Sequence, residues 1–421
     1  MNDLNKTYDP YATLRIKEFR SFVFARFFTT IAIQMQSVIV GWQVYSMTRD
    51  PFSLGLIGLS EAIPFLGLSF FSGHIADIFN RRKIILISML IYIACAILLL
   101  SFTNKLSVVL DVYGTIPIYL VIALTGFARS FLYPAQTAFM SQLVPKELYA
   151  NSSTWNSTTW HIAAVSGPAI GGLVYGFFGI TAAYLMVGIF ILAGFFYFFS
   201  IKSKAMPVQE FHESLLHSLS AGIRFVYKTQ VLFGALMMDM LAVLFGGATA
   251  MLPVFAAEVL FVGPQGLGFL RAAPAAGAVI MALFLAYNPP VKNSGRKLFI
   301  SVAGFGVCII LFAISKNFYL SLFLLALSGV FDNISVIIRH TIMQIFTPDH
   351  MRGRVAAVNS IFIGSSNEIG SFESGLAARI LTLIPSVIFG GGMTFVIAGI
   401  TAKVAPVLRK MDLREKLSGT Q

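Results

Sequence analysis

The sequence predicts an all-α membrane protein of twelve transmembrane helices in two pseudo-symmetric six-helix bundles. Three observations lead there: 57% hydrophobic against 11% charged residues in a 421-residue chain of mean hydropathy +0.80, apolar runs of membrane-spanning length, and an internal repeat. Soluble domains carry roughly a quarter charged residues, so an ordinary soluble chain is excluded, as are disordered, collagenous and disulfide-stapled ones. Cys95 and Cys308 both lie inside apolar runs and read as small buried hydrophobes, so neither a disulfide framework nor a metal site is expected.

The apolar runs fall at about 19–47, 52–76, 84–102, 116–143, 155–178, 181–199, 231–261, 266–286, 298–314, 318–346, 355–380 and 386–402. The polar first 18 residues, followed by an apolar stretch too long for a signal core, make a cleavable leader unexpected. Residues 1–200 form the first six-helix half, 201–230 a cytoplasmic linker, and 231–421 the second half with a short cytoplasmic tail. In the linker, Leu215, Leu216, Leu219, Ile223 and Val226 recur at helical spacing between charged residues, which predicts an amphipathic helix on the cytoplasmic surface.

The net charge of +12 tracks the membrane rather than a nucleic acid. Of the 30 basic residues, 22 fall in the terminal tails and even-numbered connections, only Arg49, Lys105 and Lys316 on the opposite side, and five within spans. That asymmetry puts both termini in the cytoplasm.

Sliding the second half over the first at an offset of 203 aligns Gly126 with Gly329, Pro145 with Pro348, Asn156-Ser157 with Asn359-Ser360 and Gly172 with Gly375. A separate register of 210 sets Gly58 and Pro64 against Gly268 and Pro274. Two related six-span units place a substrate path between them.

After the second run comes Gly73-His74-Ile75-Ala76-Asp77-Ile78-Phe79-Asn80-Arg81-Arg82-Lys83. It resembles the G-x-L-x-D-R-x-G-R-[RK] signature of the major facilitator superfamily, with Ile78 and Asn80 in place of the usual arginine and glycine. Gly73 permits close helix approach, and Asp77 can pair with Arg81 or Arg82 to hold a cytoplasmic helix end. The matching loop of the second half, Lys292 to Lys297, has no acid, so the latch is expected to be one-sided. Ser166-Gly167-Pro168-Ala169-Ile170-Gly171-Gly172 is similar to the G-x-x-x-G-P-x-x-G-G motif of that superfamily's exporters, with Ala163 at its leading position. Small residues around a proline give a bendable helix that packs closely.

Phe131-Leu132-Tyr133-Pro134-Ala135 and Leu143-Val144-Pro145, with Leu252-Pro253-Val254-Phe255-Ala256 and Arg271-Ala272-Ala273-Pro274, resemble the bacterial enterobactin-exporter and macrolide-efflux branch. The resemblance runs most of the length and implies the major facilitator fold, a transport role and export, but not the substrate, because members of this branch move chemically different cargo. The expected function is that of a secondary active transporter of the bacterial inner membrane, exporting a small amphipathic organic compound, drug-like or siderophore-like, in exchange for protons by alternating access.

Glu61, Asp239, Asp332, Glu368 and Glu373 lie within spans together with Arg26, Arg129, Arg271, Arg339 and Arg379. Charges exposed to lipid cost a few kcal/mol each, so they should face the bundle interior or a watery cavity. The repeat registers pair Arg129 with Asp332 and Glu61 with Arg271 at matching depth. Asp239, with no basic residue in its own span, is the first proton-coupling candidate, with Glu61 and Asp332 next; a structural ion pair is the alternative role for each. Arg129 is similar to the span-four arginine of related antiporters, although Leu132 and Tyr133 depart from that motif. Gln34, Gln36, Trp42, Tyr133 and Gln136 are candidates for a substrate wall, with Met237, Met238, Met240 and Met251 as an adaptable addition. No Walker-type loop and no cluster of catalytic acids or histidines occurs, so no enzyme, no direct use of ATP, no metal and no cofactor are expected. The expected partners are a small-molecule substrate, protons and the lipid bilayer, with no nucleic acid, around a monomer. A facilitator or importer of the same fold is the alternative within transport, and a non-transporting membrane protein the one outside it.

Overall fold

The computed structural model describes residues 9–103, 108–204 and 215–414. The described residues hold ten helices long and apolar enough to cross a membrane. Helices α1 (Lys17–Thr48), α2 (Pro51–Ile78), α3 (Arg81–Ser101) and α4 (Ile116–Met140) open the chain. Sharp starts follow from local chemistry: Pro51 occupies the first turn of α2 while the Asp50 carboxylate accepts from the Phe52 N–H at 3.0 Å, and Asn80 caps α3 by accepting from Lys83 N–H at 3.2 Å.

Helix α5 (Tyr149–Phe199) has 51 residues, about 76 Å if straight, more than twice the hydrocarbon thickness. It breaks at Gly179, where φ 83° and ψ 175° suit a residue without a Cβ. Both ends of α5 therefore lie at one end of the molecule: Asn151 and Trp155 donate to the Pro10 carbonyl, while Phe199 and Ile201 offer theirs to Arg82.

After α6 (Leu215–Lys228) and α7 (Gln230–Gly246), the chain passes through a 3-10 turn and a π-helical turn at Phe255–Val259. Helices α8 (Gly263–Tyr287), α9 (Ser294–Ile314), α10 (Phe318–Phe346), α11 (Arg352–Leu381) and α12 (Leu383–Val404) follow. Helix α11 falls outside the ten because it carries Arg354, Asn359, Asn367, Glu368 and Glu373, yet it packs against α2, α7 and α12. It is a polar helix enclosed by apolar ones.

One hydrophobic cluster draws on residues 14–201 alone and another on residues 225–413 alone. A third joins Val38, Tyr45 and Leu54 to buried residues between Ala248 and Val387. The repeat mates make matching contacts. A Cβ on Gly126 would stand 2.5 Å from the Glu61 carbonyl and 3.1 Å from the Pro64 ring, and one on Gly329 would run into the Pro274 carbonyl, 203 and 210 residues on.

Across the two parts of the chain, α2 meets α11 and α5 meets α8. The α2–α11 pair is a V. Gly55 abuts Gly375, and Gly58 faces Ser371 and Glu368, whereas an added Cβ on Gly67, Gly73 or Gly353 would meet nothing within 4 Å. The arms are closed at the end away from the chain termini and spread toward the termini. Tyr45 donates to Glu258 and Arg379 lies 5.1 Å over the Phe52 ring at the closed end.

The predicted amphipathic helix is α6. Its Val226 is buried with Leu236, Val355 and Val358, and Gly222 abuts Arg354, so its C-terminal part docks on α7 and α11; the side chains of Leu215, Leu216 and Leu219 lie outside the described residues. The loop before α9, which has no acid of its own, meets one from the C-terminal tail. Asp412 of the C-terminal tail accepts from the Asn293 N–H at 3.1 Å, and that bond, with Arg414 and Lys292 nearby, holds its carboxyl below the usual aspartate range.

Gly126→Leu or Gly329→Leu is expected to lower the unfolding midpoint in detergent by an overpacking cost of about 1–3 kcal/mol. Gly67→Leu, with open space around its Cβ, should leave the midpoint unchanged.

Candidate functional site

At the apex of the V three charged side chains meet. Arg129 Nη1 of α4 donates to Glu61 Oε1 of α2 at 2.6 Å and to Glu368 Oε1 of α11 at 2.7 Å. The guanidinium also lies over the rings of Phe65 (4.9 Å) and Tyr133 (5.4 Å), so its faces and its edge are both engaged. Its buried Nε has no hydrogen-bond partner. Arg271 of α8 donates to the Ser37 hydroxyl of α1 at 2.7 Å and lies within electrostatic reach of Glu61 and Glu368 without touching either. Two acids and two bases thus form a neutral cluster spanning both parts of the chain. The side chains of Glu61, Arg129 and Glu368 keep 24%, 21% and 13% exposure, so the cluster is partly wetted rather than sealed.

The expected pairs are therefore replaced. Arg129 bonds Glu61 and Glu368, not Asp332, and Arg271 bonds Ser37, not Glu61. The repeat register matches depth along the axis, but the facing partner is set by which helices touch, and α2 touches α4 and α11. Asp239 has the basic partner its own span lacks: Arg339 of α10 pairs with it, both buried, and Arg339 Nε donates to the Ser335 carbonyl at 3.3 Å. Asp332 stands within electrostatic reach of that pair. This second cluster lies wholly within α7 and α10.

The candidate wall is dispersed. Tyr133 joins the ion cluster, the Gln34 Cβ packs where a side chain on Gly167 would stand, and Trp42 sits among residues of the third hydrophobic cluster. Gln36 and Gln136 are buried, with Gln36 Oε1 unpartnered, while Met238 and Met251 are core. Glu373 borders a small cavity with Ser374 and Ser386.

The signature loop binds helix ends. Arg81 pairs with Asp77 at 3.5 Å and donates to the carbonyls of Ala76 (3.0 Å) and Ala138 (3.3 Å). Arg82 donates to the carbonyls of Ile201 (2.6 Å) and Phe199 (2.8 Å). Both arginines thus satisfy carbonyls at the C-terminal ends of α4 and α5, where a cation is also favoured by the helix dipole. Gly73 makes no close approach in this conformation.

The glycine-proline stretch has two faces. Gly167 and Gly171 lie against Ile31, Gln34 and Met35 of α1, while Gly172 meets the Pro264 carbonyl and Gly268 of α8. Its repeat mate Gly375 meets Gly55 of α2, so both seams at the closed end are glycine against glycine. Three contributors were not anticipated from sequence: Glu258, near the end of the 231–261 run, Ser37, and Glu368 as the second partner of Arg129.

Arg129→Gln would leave two carboxylates sharing a partly wetted site. The expected loss of stability lies between the roughly 1 kcal/mol of an exposed pair and the roughly 3–5 kcal/mol of a buried one, read as a lower unfolding midpoint. The double variant Arg129→Gln/Glu61→Gln should recover part of that loss.

A family of chains described as transmembrane secretion effectors matches residues 8–420. The enterobactin exporter EntS of Escherichia coli O1:K1 is 26% identical over 393 residues, 93% of this chain and 92% of its own length, and that of Shigella dysenteriae serotype 1 (strain Sd197) is 26% identical over 369 residues, 87% of each chain. Among solved structures, a POT family transporter in complex with 5-aminolevulinic acid superposes with TM-score 0.73 at 12% identity, covering 93% of this chain and 96% of that one. A bacterial homolog of the human lysosomal transporter Spinster gives 0.68 at 13%, covering 98% and 99%. These relatives are transporters and not enzymes. With nearly every residue inside the family match, the chain belongs to the transmembrane secretion effector family of major facilitator transporters.

Proposed function

We propose that the chain is a secondary active transporter of the bacterial inner membrane that exports a small amphipathic organic compound in exchange for protons. The observation that carries this reading is the Glu61–Arg129–Glu368 cluster at the apex of the α2–α11 V, where carboxylates from both parts of the chain share one guanidinium. The exporters among the relatives support the direction.

Counting α5 as two spans about Gly179 and α11 as one gives twelve, six in residues 1–200 and six in 231–421, joined by the 201–230 linker. The excess of Lys and Arg at the termini-bearing end puts both termini in the cytoplasm, so the V opens inward. The transporter works as a monomer, with its path between the two halves.

Protonation of Glu61 removes its charge from the bond inside the first half and leaves Arg129 to Glu368, the tie between the halves. Release of the proton divides the guanidinium between the two carboxylates again. Asp239, paired with Arg339, and Asp332 beside it form a second titrating group inside the second half. Asp77, Arg81 and Arg82 hold the cytoplasmic helix ends, and Gly73 supplies the close approach when the inner end shuts.

Efflux-deficient cells expressing the protein should accumulate less of at least one compound from a panel of dyes, macrolides and siderophores, and a protonophore should abolish the difference. Glu61→Gln and Asp239→Asn, each with normal insertion, are expected to lose at least about tenfold of the coupled export. Unchanged coupling in either would make that carboxylate structural, and downhill movement insensitive to the protonophore would make the protein a facilitator.

A further inference from the structure

Of Arg26, Arg129, Arg271, Arg339 and Arg379, Arg26 alone has no ion pair, hydrogen bond or ring contact among the described residues. Arg129, Arg271, Arg339 and Arg379 all have partners. Arg26 lies on α1, nine residues in from the termini-bearing end, and is half-buried. The nearest acid on its own helix, Glu18, is already paired with Lys204.

The helix places Arg26 on the central face. Ser37 is eleven residues on, three turns within about 20°, and Ser37 touches Arg271 of the second part of the chain. Tyr133, the titratable side chain within electrostatic reach of Arg26, follows Arg129 by one turn of α4 and so faces the same way as the ion cluster. Arg26 and Tyr133 thus stand on the open side of the apex, where the α2 and α11 arms have spread.

Charge balance gives this position its meaning. The apex holds two acids and two bases and is neutral, leaving Arg26 as an uncompensated positive charge on its termini-facing side. A cation at that depth is costly without a counter-ion, and the spread of the α2 and α11 arms leaves that side of the apex open to one. We propose that Arg26, facing the same open side as Tyr133, forms an anion subsite that takes the carboxylate-like group of an organic anion with a flat apolar body. The inference rests on the exporter reading and names the charge class of its cargo.

Full-length protein in phosphatidylcholine nanodiscs, free of competing anionic lipid, would be titrated with three dansyl probes differing only in charge: dansylglycine, its neutral amide and a trimethylammonium analogue. The expected result is dansylglycine bound at least about tenfold tighter than the amide, the cation being weakest. Arg26→Gln should bring the carboxylate-to-amide ratio close to one, Arg26→Lys should keep most of it, and Arg26→Glu should favour the cation. Equal binding of carboxylate and amide by the unaltered protein, or a ratio that survives Arg26→Gln, overturns the subsite and leaves the exporter reading standing. Failure of all three probes to bind, alongside failure of the cellular efflux panel, sinks both. The wild-type ratio decides even if a variant does not fold.

Discussion

Hydrocarbon does not tolerate an unpaired charge, and this molecule concentrates its intramembrane charges where helices from different parts of the chain converge. Arg129 is the centre of that arrangement. Its Nη1 reaches carboxylates on α2 and α11 at once, so the ion cluster is also a mechanical tie, and its neighbours Phe65 and Tyr133 keep the guanidinium flat between them. A tie made of charges can be undone by one proton, which a purely apolar contact cannot.

Around that tie the packing depends on absent side chains. Where α2 crosses α11 and α5 crosses α8, Gly55, Gly375, Gly172 and Gly268 bring backbones together, and Gly126 and Gly329 do the same on α4 and α10. Between helices in lipid there is little hydrophobic drive, so close van der Waals contact of this kind supplies the attraction. The ends of the helices are governed differently. Arg81 and Arg82 tie α3 to the carbonyls of α4 and α5, and Asp412 ties the C-terminal tail to the start of α9.

Much of this was legible in the sequence. Apolar run lengths located nearly every helix, the break at Gly179 fell between two runs, and the positions that the repeat registers equate, Gly126 with Gly329 and Pro64 with Pro274, make matching contacts. The pairings within the ion cluster were not legible, because a register gives depth and not the face a residue turns to its neighbour. Arg129 and Asp332 share a depth and still point to different helices. Glu258 lies in the π-helical turn near the end of its apolar run, and its bond to Tyr45 of α1 joins residues 213 apart in sequence, which no local pattern reveals. The dispersal of Gln34, Gln36 and Trp42 has the same cause as the mispaired charges: on one helix, residues two apart face different directions.

The glycine seams also bear on speed. Two helices held together by bare Cα surfaces need no rotamer to rearrange when they part or return, so no side-chain ordering has to be repeated. The Gly55–Gly375 and Gly172–Gly268 contacts are closed in this way, backbone on backbone. A transporter whose walls move can reuse such a seam without repacking it, with the smallest residue there is.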